Sequence, residues 1–452
     1  MKTQTFTYAF VVTILLAIPL LSSGQNDLQY FRPYDLRGLN MFETPKSDNG
    51  ISDDFKVRIG ANFTQQFQSL DHQNTAEAVP TSPSDPTNIN ELIDLSPGFN
   101  LATANLNIDA QLERGIRLNV VAYLSSRHHQ EAYVKGGYIQ FDQLLFMKSA
   151  LIDRLMNNFT IKLGHYEVNF GDAHFRRTDN GNAFHNPFVG GYILDAFNTE
   201  IGGEITYQKN GFIAMGGATN GEIKGDVVAL PALDPENDVD DSSLKSPAWI
   251  GKLGVDKQLN NDLRVRLTGS VYYTASSRSN NLYGGDRAGS RYYLVMENTK
   301  ATTNANHYSG RLAPKFTDKV ASGMANLFMK YKGFEFFGTY ENSNGRTSKE
   351  EEMRNATQWA GELIYRFGER EQFYVAGRYN KVQAELLAEG TNFGIGNPVK
   401  ISRIQAGAGW YINNYILAKV EYVTQEYKDY SVKSIFSGGS FDGLVIEAAV
   451  AF

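Results

Sequence analysis

The 452-residue chain has no cysteine. That excludes disulfides, thiolate metal sites and a lipid-anchored N-terminal cysteine, but leaves the compartment open, because a reducing cytoplasm also permits it. Excess positive charge is missing too. A net charge of -6 offers no clustered basic surface for nucleic acid. The signatures GxSxG, HExxH and a glycine-rich phosphate loop followed by Lys-Ser/Thr are all absent, so no catalytic residue is assigned. No metal or cofactor site is assigned either. His165, His174 and His185 lack a ligand spacing, and the acidic stretch 233–241 lacks the central glycine of a calcium loop. A hydrolase built at a barrel rim, using His128, His129, His174 or His185, is a distant alternative.

Long apolar runs occur only at the start. Lys2, the apolar stretch 10–21 and the small residues at 22–24 predict a signal peptide over 1–24, cleaved near Gly24–Gln25. The run is short for a membrane span and contains Pro19. No later stretch approaches the roughly 20 apolar residues of a spanning helix. An exported chain without a helical anchor is either free in solution or crosses the membrane as strands.

Two-residue alternation favours strands. In 55–67, Phe55, Val57, Ile59, Ala61, Phe63 and Phe67 fall on one face, and Lys56, Arg58, Asn62, Thr64 and Gln66 on the other. Successive strand side chains point to opposite sides, so one face is oily and one wet. The pattern recurs in 99–113, 116–126, 133–142, 159–168, 199–208, 211–220, 248–258, 262–274, 320–331, 333–342, 357–367, 372–383, 400–412, 414–428 and 441–452. This predicts an all-β fold, a transmembrane antiparallel barrel of about 16 strands. Most segments are long enough for a tilted crossing, which takes about 9–11 residues. Tight turns at 114–115, 209–210, 260–261, 332 and 413 alternate with long polar connections such as 68–98, 169–198, 221–247 and 275–319, the loop asymmetry of outer-membrane barrels. The connection 143–158 breaks the rule, being long and apolar; an amphipathic helix and extended strands with a bulge both fit it. Tyr272, Tyr273, Tyr331, Tyr340, Tyr365, Phe367, Tyr379, Tyr411, Tyr415 and Tyr422 lie towards strand ends, where aromatic girdles belong. The expected division is a signal peptide at 1–24, a periplasmic or lumenal segment at 25–54 and the barrel at 55–452. The last strand ends in Phe452 at an outward phase, which resembles the signal read by the barrel-assembly machinery.

The stretch 158–172, NFTIKLGHYEVNFGD, resembles the LRxGxFKxPFG segment of phosphate-selective porins of the O and P type. Leu163, Gly164, Tyr166, Phe170 and Gly171 carry the match; Asn169 replaces the usual Pro and Glu167 the frequent Lys. The resemblance implies an outer-membrane pore in contact with lipid, a homotrimeric assembly, and a loop after this strand that folds into the channel. The loop 172–198 holds His174, Arg176, Arg177, Asp179 and His185 among several phenylalanines. Folding into the lumen as a constriction and packing over neighbouring loops are equally expected. The inward phases carry Lys56, Arg58, Arg117, Lys162, Lys252, Arg264, Arg266, Arg366, Arg378, Arg403 and Lys419 against Asp109, Asp142, Glu200, Glu204, Asp256, Glu335, Glu341, Glu362, Glu421 and Glu447. These nearly balance, giving either a transverse field or a mutually paired interior; Lys56, Arg58, Arg264 and Arg266 form a candidate basic ladder. The expectation is a wide, water-filled porin for passive diffusion of small polar or ionic solutes, weakly anion-selective at most. The second reading is a non-conducting barrel serving surface adhesion or a secretion complex.

Overall fold

A computed structural model describes residues 28, 30–46, 54–127, 132–177, 182–225, 227, 245–277, 279–284, 291–387 and 395–452. The expected signal peptide, His128, His129, Asp179 and the acidic 233–241 stretch lie outside them.

Among the described residues the wall is built from β1 (Lys56–Gln73), β2 (Thr103–Glu113), β3 (Ile116–Ser125), β4 (Ala132–Phe141), β5 (Phe159–Glu167), β6 (Thr199–Lys209), β7 (Phe212–Thr219) and β8 (Ala248–Gln258). It continues through β9 (Leu263–Thr274), β10 (Lys319–Tyr331), β11 (Phe334–Arg346), β12 (Arg354–Phe367), β13 (Phe373–Leu387), β14 (Ile395–Tyr411), β15 (Ile416–Lys428) and β16 (Ser440–Ala451). Each strand pairs antiparallel with the next in sequence. β16 returns to β1 in a register running from Asn62↔Ala451 to Gln73↔Ser440. The sheet therefore closes into a barrel of sixteen strands, with a two-residue accessory pairing of Gly98–Phe99 against β1. Closure leaves no free strand along the wall, so wall peptides find their partners inside the sheet over most of its height, as a lipid-facing backbone requires.

The burial pattern is the reverse of a soluble sheet. On β1, Val57, Ile59 and Phe63 are 46%, 50% and 43% exposed, while Arg58, Asn62, Thr64 and Gln66 between them are buried. Leu253, Leu267, Val271, Leu363, Val375, Ile404 and Ile446 continue the exposed apolar belt around the barrel. Such a surface is stable only against hydrocarbon, since exposing it to water would forgo about 25 cal/mol per Å². At the short-turn end, Phe334, Tyr365, Phe367, Phe373 and Trp410 form a continuous aromatic row with successive centroids 4.4, 5.9, 5.7 and 6.0 Å apart. Tyr272 and Tyr411 do not belong to the girdle: both point inward and are buried. The pleat allows only one of two consecutive residues to face lipid, and Tyr273 takes that place beside Tyr272.

The tight turns lie where the alternation stops, at 114–115, 210–211, 259–262, 332–333 and 412–415. The connection from β4 to β5 carries a 3-10 turn at Leu145–Met147 and a helix α1 at Ala150–Met156. Several strands outrun their expected ends on the long-loop side. β11 reaches Arg346 and β12 begins at Arg354 because polar cross-strand bonds, such as Asn342 Nδ2 to Thr357 Oγ1 at 2.9 Å, keep the ladder going.

Candidate functional site

Register decides which interior charges meet. Arg58 lies opposite Asp109, Lys162 opposite Glu204, Asp256 opposite Arg266, Glu362 opposite Arg378 and Lys419 opposite Glu447. The corresponding N···O distances are 2.7, 2.8, 3.3, 2.9 and 2.7 Å. Arg117 pairs with Asp142 at 2.7 Å, Arg264 with Asp256 at 2.7 Å and Arg366 with Glu335 at 2.7 Å. Arg403 pairs with no carboxylate among the described residues; its guanidinium donates to Gln425 and to the carbonyls of Gly191 and Gly310. Opposite charges thus sit side by side on neighbouring strands rather than across the lumen, which removes the transverse field. Arg58, Arg264 and Arg266 are neutralised one by one. Lys56, at the first position of β1, is half-buried.

The loop after β5 occupies the barrel interior. Gly164 and Gly171 take φ of +138° and +70°, where a side chain is strained. A Cβ at Gly164 would meet Gly137 and Tyr138, and one at Gly171 would meet Met324. Gly164 thus lets β5 pass close to β4, and Gly171, beyond the strand's end, lets the chain turn into the lumen. The wall then fastens the loop from below. Lys419 Nζ donates to the carbonyls of Ala183, Asn186 and Phe188 at 2.8, 3.0 and 2.8 Å. Glu421 accepts from the Val189 amide, Asn380 from the Ile193 amide and Gln358 from the Leu194 amide. Tyr192 donates to Glu362 at 2.5 Å. Of the residues singled out in this loop, Arg176 bonds Asn40 and Glu362. Arg177 pairs with Asp195 at 2.5 Å, His185 Nε2 lies 3.0 Å from the Asp35 carbonyl, and His174 Nδ1 lies 2.6 Å from Glu167. The histidines thus go to separate partners, and among the described residues no group of three or more His, Asp or Glu is arranged to hold a metal ion.

Two further pieces share the interior. Residues 30–46 cross the inward-facing side chains near the short turns. Tyr34 donates to Asp109 at 3.1 Å, Asn40 to Glu335 at 2.6 Å, and Lys46 to the carbonyls of Asp142 and Phe159 at 2.8 Å each. Glu43 lies 3.2 Å from Lys252 and 2.6 Å from Arg266. At the opposite end, the long connection between β9 and β10 is not merely polar. Its Leu282, Tyr283, Tyr292, Val295, Met296 and Phe316 are buried with Val189, Ile193 and Leu194 in one apolar cluster. Tyr283 donates to Glu341 and Tyr292 to Glu421, each at 2.6 Å, while Arg291 reaches Thr64 and Thr103. The expected wide lumen is thereby corrected: inserted chain fills the side lined by β10–β15. The sequence signal that could have pointed to this second insertion is the apolar run YYLVM at 292–296.

Space remains in more than one place; a pocket of about 680 Å³ near the short turns is bounded by Asn40, Arg264, Lys330 and Arg366 among others. A cavity of about 270 Å³ lies between residues 30–44 and the wall from β2 to β6, bounded by Asn105, Tyr138, Lys162, Tyr166, Glu204 and Thr206 among others.

No protein-family model matches the chain, and no curated protein does. Solved structures of similar fold include OmpT, an outer membrane protein of Vibrio cholerae, in a trimer form: 11% identity, 88% of this chain and 100% of that one, TM-score 0.48. An anion-selective porin from Comamonas acidovorans gives 11%, 88%, 100% and 0.48. Pseudomonas aeruginosa OpdL gives 9%, 88%, 98% and 0.42.

Proposed function

We propose that this protein is an exported outer-membrane channel through which small polar or ionic solutes diffuse passively along a narrow path beside the β2–β6 wall. The observation that carries the reading is the partly polar cavity left inside a closed barrel whose outer face is apolar. An unfilled cavity bounded by Asn105, Lys162, Glu204 and Thr206, in an interior otherwise held by ion pairs and hydrogen bonds, is where a passing solute would find room. Selectivity is set by fixed charge along the path, and here Lys162 is offset by Glu204 at 2.8 Å, so ion preference is weak.

The full-length mature protein in planar bilayers is expected to give small ohmic single-channel steps with a reversal potential near zero in a salt gradient. A folded, heat-modifiable barrel that inserts without any current sinks this reading and favours the second one, a non-conducting surface, adhesion or secretion-complex component. The extent of loop filling on the β10–β15 side is the observation that keeps that second reading in view.

Assembly follows the same logic at the end of the chain. Phe452 is exposed, and its backbone exchanges hydrogen bonds with Ala61 at 3.0 and 3.1 Å, closing the barrel with an outward aromatic. Deleting Phe452 is expected to lower the yield of folded barrel in the membrane; an undiminished yield would mean that the assembly machinery does not read this residue.

A further inference from the structure

Resting on the channel reading above, the cavity beside the β2–β6 wall has a chemical preference of its own. Its charged groups already have partners, though not all of them are counter-charges. Lys162 Nζ is bonded to Glu204 at 2.8 Å and lies 5.0 and 5.2 Å from the ring centres of Tyr138 and Tyr166. Glu167 is engaged by His174, and Lys135 stands 5.5 Å over the Phe197 ring. An anion or a cation that lodged here, rather than passing through, would have to displace an existing partner to find a counter-charge, at a cost such a site does not return.

The neutral groups are in the opposite condition. The Tyr166 side chain is 3% exposed, yet its hydroxyl has no hydrogen-bond partner. Leaving a buried hydroxyl unpaired costs on the order of 1–3 kcal/mol, so its persistence needs a reason. Tyr138, Thr206 and Gln208, which also line the cavity, make no side-chain hydrogen bond among the described residues. Tyr138 and Tyr166 meet edge to face with centroids 6.4 Å apart, giving the cavity apolar ring surfaces next to these hydroxyl and amide groups. Aromatic surface beside unpaired neutral donors and acceptors matches a compact solute that carries several hydroxyls on an uncharged carbon skeleton.

We infer that this cavity is a binding station for a small neutral polyhydroxylated solute of the monosaccharide class, with the Tyr166 hydroxyl as a specificity-determining contact. The test uses glucose as the probe on the folded, full-length mature protein in detergent, read by saturation-transfer NMR and titration calorimetry, alongside single-channel recording in bilayers. Saturable glucose binding that sodium phosphate at equal concentration does not displace is expected. In Tyr166→Phe the affinity should fall by about fivefold, the worth of one hydrogen bond, while thermal stability holds or rises because an unpaired hydroxyl has been removed. A purely structural tyrosine would not separate those two readouts. Thr206→Val supplies a second variant, expected to weaken binding in the same sense. Absent glucose binding, displacement by phosphate, or unchanged affinity in both variants overturns the inference. Loss of conductance with glucose binding intact would instead overturn the channel reading alone.

Discussion

At Lys419 one ammonium group ties a wall strand to the chain folded inside it. It is fully buried, meets Glu447 at 2.7 Å and caps three loop carbonyls. A buried pair of this kind adds little net stability as a unit, but removing one partner strands the other in low dielectric. Lys419→Met should therefore destabilise the barrel by about 3–5 kcal/mol, lowering the temperature at which the compact gel band converts to the unfolded one. A single variant as stable as the parent would show that the pair is not buried as described. The inward phase of Lys419, and of Arg58, Arg378 and Glu362, was readable from alternation alone, because a pleated strand leaves each residue one choice of face. What alternation did not give was partnership. Pairing follows register, and register is fixed by turns and bulges spread over the whole wall. The swing of Tyr272 and Tyr411 inward was missed for a related reason: aromatic type suggested lipid, but phase overruled it.

The inserted segments show the same division at the scale of elements. The tight turns and long loops sort to opposite ends as the sequence suggests, and the aromatics in 172–198 were a sign that this loop packs on something. Its destination depends on contacts with residues some 150 to 240 positions away, among them Gln358, Asn380 and Lys419, and no local pattern encodes these. The connection between β9 and β10 reads as polar because its one apolar run, 292–296, is short and flanked by Asn, Ser and Gly. Residues 30–46 are held by side chains and capping bonds and contribute no strand to the wall. Deleting 30–46 from the mature chain should accordingly leave a closed, heat-modifiable barrel and raise its single-channel conductance. Unchanged conductance in a folded deletion variant would mean that the segment does not border the path.

Across the whole molecule, a barrel of this strand number encloses more space than its own side chains fill, and here much of that space is taken by inserted chain. The balance of forces is then unlike a soluble protein: the apolar belt gains its stability from lipid, while the interior is held by ion pairs, hydrogen bonds and one apolar cluster at the long-loop end. On the proposed channel reading, solutes take the strip beside β2–β6. The native chain has no cysteine, so single thiols can report that route without background. The decisive measurement is current block by a small charged methanethiosulfonate reagent on two variants recorded in planar bilayers, Thr206→Cys beside the cavity and Gln405→Cys beneath the inserted loop. The off-centre path predicts rapid block at position 206 and none at 405; block at 405 with position 206 inert would contradict it.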